Sequence, residues 1–141
     1  MKYEKSCGAI VYREIDHQLS YLLVQMNLGH FSFPKGHMES GETEVLTALR
    51  EIKEETNVDC LIIDGFREQI QYSPYPGIIK DVIYFVGKAV TLDIIRQVEE
   101  IKDIMWCTYD EALQLITYSN EQVLLKRANL FLLSKGKDNE K

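Results

Sequence analysis

A chain of 141 residues, 45% hydrophobic and 27% charged, has the composition of one folded domain large enough to bury its own core. Its formal net charge of −6 excludes a nonspecific DNA-binding or membrane-surface role, and any polyphosphate ligand must be drawn in by local cations or metal. No apolar run near the start is long enough for a secretory or membrane-spanning segment. Cys7, Cys60 and Cys107 are odd in number and widely spaced, so they read as buried free thiols in a reducing, cytoplasmic compartment.

Residues 7–12 and 19–25 are expected to be strands, joined by a hairpin turn over the polar segment 13–18. A loop at 27–30 leads to 31–36, where alternation stops at Pro34. Residues 44–55 hold strong helix formers and no Gly or Pro, which predicts a helix of about three turns. At roughly 100° per residue, Val45, Ala48, Leu49 and Ile52 share its buried face. Asn57 ends the helix, in the left-handed conformation that Asn tolerates next best after Gly. Strand returns at 60–64 and 66–72, broken at Gly65, which marks a bulge.

The turn-rich loop 73–77 follows, and then 81–86, a nearly continuous apolar strand expected at the sheet centre with both faces covered. Residues 91–103 are ambiguous: Ile94, Val98 and Ile101 fit helical spacing, but strand or loop fits equally. A short strand is expected at 104–107. Thr108-x-x-Glu111 and Ser119-x-x-Gln122 are capping-box patterns that open two closing helices, the second with a buried stripe at Leu124, Ala128, Phe131 and Leu132. One domain over 1–135 with a frayed tail over 136–141 is the expected organisation. Strands mixed with helices, hairpins and crossovers suggest an α/β fold with a mixed sheet between helices.

Glu51, Glu54 and Glu55 sit at spacings where helix neighbours meet, and three like charges there repel one another. A solvated acidic face is one reading. The other is a site for a hard divalent cation, Mg²⁺ or Mn²⁺, because no Cys or His accompanies the carboxylates. The series Gly36, five residues, Glu42, seven residues, Arg50-Glu51-Ile52, one residue, Glu54-Glu55 resembles the Nudix box, departing from it only where Asn57 replaces a glycine. The resemblance implies an α/β/α sandwich and metal-dependent hydrolysis of a nucleoside diphosphate linked to another moiety. It implies Glu51, Glu54 and Glu55 as metal ligands, the Gly36 carbonyl beside them, and Arg50 orienting a glutamate. Glu42 also has a purely structural use at the helix start, and Glu44 can simply be solvated. A later acid, Glu100, would be a further ligand or the general base, although Glu99 and Glu100 also read as a surface charge pair.

Flanking residues, including 33–37, 65–67, Tyr72, Lys80 and 82–84, resemble the branch of that family that cleaves diadenosine tetraphosphate asymmetrically. Such a substrate needs cations along its phosphates and flat surfaces for adenine. Lys35, His37, Arg67 and Lys80 are candidates for the first, and Tyr72, Tyr75 and Tyr84 for the second; Tyr84 also reads as a core residue of its strand, Tyr75 as a stiffener of its proline-flanked loop and His37 as a surface residue. His17 and His30 read as surface residues. The alternatives are noncanonical nucleoside triphosphates, RNA 5′-triphosphate ends, or a sensor that binds nucleotide without cleaving it. Oligomeric state is not legible.

Overall fold

A computed structural model describes residues 1–97 and 99–139. Its elements are β1 (Lys2–Ile15), β2 (Gln18–Met26), β3 (Phe31–Ser32), β4 (Lys35–His37), α1 (Glu44–Thr56), β5 (Cys60–Tyr72), β6 (Ile78–Ala89), β7 (Ile101–Thr108), α2 (Tyr109–Leu115) and α3 (Ser119–Asn139). The sheet runs β3-β2-β1-β6-β5, with β4 paired to β1 and β7 to β2. Only the β1–β6 pairing is parallel, so the sheet is mixed as expected.

The first hairpin is tighter than the polar run suggests. Asp16 and His17 alone make the turn, both with positive φ (53° and 66°), as a two-residue hairpin loop requires. Arg13 and Glu14 remain in the ladder opposite Ser20 and Leu19, with polar side chains on a paired backbone. Beyond Tyr12 and Tyr21 the two strands part. β1 takes β4 at Ser6 to Gly8 and β2 takes β3 at Val24 and Gln25, while β7 runs along the other edge of β2. Pro34 and Lys35 enter this fork so closely that a Cβ on Gly8 would lie 2.2 Å from the Pro34 carbonyl oxygen. The fork thus delivers the start of the box to the sheet centre.

Strand periodicity assigns the two faces. Cys7, Ala9 and Val11 of β1 and Ile83 and Phe85 of β6 pack with Ala48 and Ile52 of α1. Ile10, Val82, Tyr84 and Val86 point the other way, toward Leu124, Leu125 and Ala128 of α3. β6 is therefore central and covered on both sides, and β5 bulges between Ile62 and Arg67 at Gly65, whose φ is 105°. The three cysteines are buried and free, and burial pushes each thiol up to about 11, which makes them inert.

Helix α1 is rotated relative to expectation. Val45 is exposed and Leu49 only partly covered, whereas Thr47, Ala48, Ile52, Glu55 and Thr56 are buried. Asn57 does cap the helix in the left-handed region, with φ 68° and its N–H donating to Lys53 O at 2.9 Å. Its side-chain amide also reaches the Asp93 carbonyl at 3.3 Å, a tether that glycine could not supply. Asn57→Ala is expected to destabilise the protein by about 1–2 kcal/mol, from left-handed strain, while Asn57→Gly keeps the helix end; urea midpoints compare the two.

Residues 91–97 form neither helix nor strand. They hook onto the end of α1 instead, through Ile95 N to Thr56 O (3.0 Å) and Gln97 N to Glu55 O (3.3 Å). Val98 lies outside the described residues. The Thr108–Glu111 capping box forms, but the second does not: the Gln122 amide donates to Ile116 O at 3.0 Å rather than reaching back to Ser119. Helix α3 continues through Gly136 to Asn139, where the sequence suggests a frayed tail; residues 140 and 141 lie outside the described residues. No helix among the described residues is long and apolar enough to cross a membrane.

Candidate active site

Arg50 organises the acids. Its Nε and Nη2 donate to the two oxygens of Glu42 (2.7 and 2.9 Å), and Nη2 also reaches the His37 carbonyl at 2.9 Å. This bidentate grip fixes the guanidinium, so Nη1 is left to meet Glu51 at 2.7 Å and both Glu54 oxygens at 3.3 Å. Glu42 in turn accepts the Glu39 N–H and the Thr47 hydroxyl, and chiefly the Arg50 hydrogen bonds hold its carboxyl at about 2. Its structural use is therefore to anchor Arg50, more than to meet the helix dipole.

The three box glutamates do not share one solvated face. Glu54 is half-exposed, and Arg50 is its only hydrogen-bond partner among the described residues. Glu51 is tucked against β4, where a Cβ on Gly36 would come within 2.0 Å of its carboxyl group. Glu55 is only 3% exposed, and its sole donor among the described residues is the Lys35 N–H at 3.3 Å. Burial lifts Glu55 to about 8, with Glu51 and Glu100 pushing the same way against the pull of Lys35. Burial also raises Glu51, opposed by Arg50 and assisted by Glu54 and Glu100. Glu100 is exposed, its segment pinned by Asn27 N to Glu100 O at 3.1 Å.

Among the described residues, no three Asp, Glu, His or Cys side chains are drawn around one point, because Arg50 Nη1 stands between Glu51 and Glu54. The donor set still fits a hard divalent ion. Two buried or half-buried carboxylates with raised proton affinity, repelled by further acids, form a charge deficit that such an ion relieves.

On the other side of Lys35 opens a cavity of about 540 Å³. Tyr72, Tyr75 and Tyr118 give it exposed aromatic surface, and His30, Ser32 and Glu121 add polar groups. Tyr84 lines it as well but is fully buried, its ring edge-on to Phe33 at 5.5 Å and its hydroxyl donating to Glu121 at 3.0 Å. It presents no open face for a base, so of the two readings of this residue the core one holds. Lys80 stands opposite Tyr72 in the β5–β6 ladder, and burial and then the nearby Lys35 lower its pKa.

His37 is exposed and joins the Arg50 network only through its carbonyl. Arg67 is committed elsewhere: its Nε and Nη2 each meet Glu44 at 2.9 Å, and Lys5 adds a contact at 3.0 Å. Glu44 therefore ties α1 to β1 and β5 rather than being simply solvated. Sequence reasoning missed Tyr118 and Glu121, three residues apart at the start of α3, and placed His30 at the surface. His30 is half-buried, 5.8 Å from the Tyr118 ring, and burial lowers its pKa. A more open cleft of about 600 Å³, between residues 13–17 and 88–92 at the far end of the sheet, contributes nothing to this site.

A family model of the NUDIX domain matches residues 2–127. The chain belongs to the Nudix family. Among its curated Nudix relatives, the asymmetrical bis(5′-nucleosyl)-tetraphosphatase of Sus scrofa is 34% identical over 92% of this chain and 96% of its own length. The enzyme of the same name from Caenorhabditis elegans is 30% identical over 91% of this chain and 96% of its own. A crystal structure of a C. elegans Ap4A hydrolase binary complex superposes with a TM-score of 0.85 at 29% identity, covering 93% of this chain and 98% of that one. The Nudix domain of Shewanella oneidensis NrtR, 20% identical with a TM-score of 0.73, shares the fold.

Proposed function

We propose that this Nudix chain hydrolyses diadenosine tetraphosphate asymmetrically, to ATP and AMP, with Mg²⁺ or Mn²⁺. The observation that carries this reading is the double position of Lys35. Its N–H donates to Glu55 of the box helix, and the same residue lines the aromatic cavity, so acids and cavity meet at one point. An adenosine stacks among Tyr72, Tyr75 and Tyr118. Its phosphates then pass the Lys35 and Lys80 ammonium groups, which offset the repulsion of an acidic chain.

Glu51, Glu54, Glu55 and Glu100, with the Gly36 carbonyl, are the groups that would hold the metal. Bound there, a divalent ion neutralises phosphate charge and makes its water nucleophilic. Arg50 keeps Glu51 and Glu54 oriented, and Glu42 keeps Arg50 in place. Glu100, where it is not taken up as a ligand, is exposed enough in its loop to take a proton from water. The names of the pig and nematode relatives support the substrate. The free, inert thiols support a cytoplasmic setting.

An RNA 5′ end needs a broad basic groove that a net charge of −6 does not favour, and a sensor has no need of the complete acid set. Chromatography of the products tests the reading. ATP and AMP in equal amounts are expected; two molecules of ADP, or no turnover with either metal present, would overturn it.

A further inference from the structure

Glu121 is a carboxylate that a fold avoids burying without cause. It is 4% exposed, on the first turn of α3, in the wall of the cavity that Tyr72, Tyr75 and Tyr118 also line. Two hydroxyl groups converge on just one of its oxygens: Oε2 accepts from Ser32 Oγ at 2.6 Å and from Tyr84 Oη at 3.0 Å. Those two donors come from β3 and β6, so the carboxylate is clamped from two strands and cannot swing. No described residue donates to Oε1, yet that atom is not among the fully enclosed, unsatisfied polar atoms, which are Ser6 Oγ and Arg13 Nε. Oε1 is thus left without a protein donor and not fully enclosed, on a side chain that lines the cavity.

A fixed acceptor beside stacked rings recognises a donor on the edge of a flat ligand. Tyr118 immediately precedes α3 and Glu121 sits on its first turn, and both line the same cavity, so a base against the Tyr118 ring has the Glu121 carboxylate within the same pocket. We propose that Glu121 is a specificity-determining residue whose Oε1 accepts the exocyclic amino group of a 6-aminopurine held in this cavity. Lys35, at the cavity's other boundary, marks the phosphate end of the same ligand. This inference rests on the nucleotide-binding reading above, and it assigns the base selectivity that stacking alone, tolerant of every base, does not supply.

The test is a binding measurement, so that it does not depend on turnover. AMP and purine riboside 5′-monophosphate, which lacks only the amino group, are titrated calorimetrically into the wild-type protein and into Glu121→Gln. A hydrogen bond to a charged acceptor predicts that wild type binds AMP at least about tenfold more tightly. Glu121→Gln keeps an acceptor for Ser32 and Tyr84 but turns an amide donor into the cavity. It should bring the affinity ratio to about one by weakening AMP alone. A Glu121 that merely supports the fold would leave the ratio untouched. Equal binding of the two nucleotides by wild type, binding of neither, or a ratio that persists in Glu121→Gln would overturn the assignment. Should the variant not fold, the wild-type ratio decides. AMP discrimination without cleavage of the dinucleotide would count against the proposed reaction, not against Glu121.

Discussion

Glu54→Gln is expected to cut turnover by at least about a hundredfold while leaving the melting temperature unchanged. The two halves of this result have separate physical causes. Glu54 is half-exposed and its only partner among the described residues is Arg50, at 3.3 Å; an exposed pair of that kind contributes at most about 1 kcal/mol. Arg50 also loses little, because Glu42, Glu51 and the His37 carbonyl continue to hold it. The amide, however, removes one negative charge and one metal-binding oxygen from the acid cluster. Steady-state rates at several Mg²⁺ concentrations, set beside thermal melts, separate the two effects. An unchanged rate would sink the assignment of Glu54. Glu42→Gln provides the contrast: it loosens the bidentate hold on Arg50, so activity and stability should fall together.

Local rules explain which parts of this architecture can be read from the chain. The box spacing, the left-handed Asn57, the bulge at Gly65 and the doubly covered strand through residues 82–86 each depend on neighbours a few residues away. Glu55 shows where such reading stops. It lies seven residues after Ala48 and three after Ile52, on the buried stripe itself, but its charge argues for the solvent face. Only the fork between β1 and β2, which brings Lys35 and Gly36 over α1, turns that position into an interior one. Tyr84 fails for the same reason in reverse. Strand alternation sends it toward α3, and Phe33 and Glu121, distant in the chain, close over it. Tyr118 and Glu121 carry no local signature at all, since a helix start beside a cavity looks like any other helix start. The hairpin is shorter than its polar run implies because Arg13 and Glu14 are polar in side chain yet paired in backbone.

Burying Glu55 should make the metal-free protein lose stability as pH rises, and Mg²⁺ should restore it. The folded-state value of about 8 lies above the ordinary 4.5. Between these values the folded chain retains a proton that the unfolded chain has released, so stability falls with each increment of pH. The loss begins near 4.5 and is complete above about 8, amounting to at most about 5 kcal/mol, and the raised Glu51 acts in the same direction. Glu42 and Glu44, held at about 2 by Arg50 and Arg67, have the opposite sign; their contribution is present above 4.5 and disappears as pH falls toward 2. Stability in EDTA should therefore peak near pH 5, and the melting temperature at pH 8.5 should be several degrees lower. Saturating Mg²⁺ should close that gap, because a divalent ion favours the ionised carboxylate. The net charge of −6 contributes a general repulsion with the same trend, and Glu55→Gln isolates the local part. In EDTA this variant should melt higher than wild type at pH 8.5 and gain less from Mg²⁺. A wild-type melting temperature that is flat between pH 5 and 8.5 in EDTA would mean that Glu55 is not held in the dry pocket from which its role as a ligand is argued.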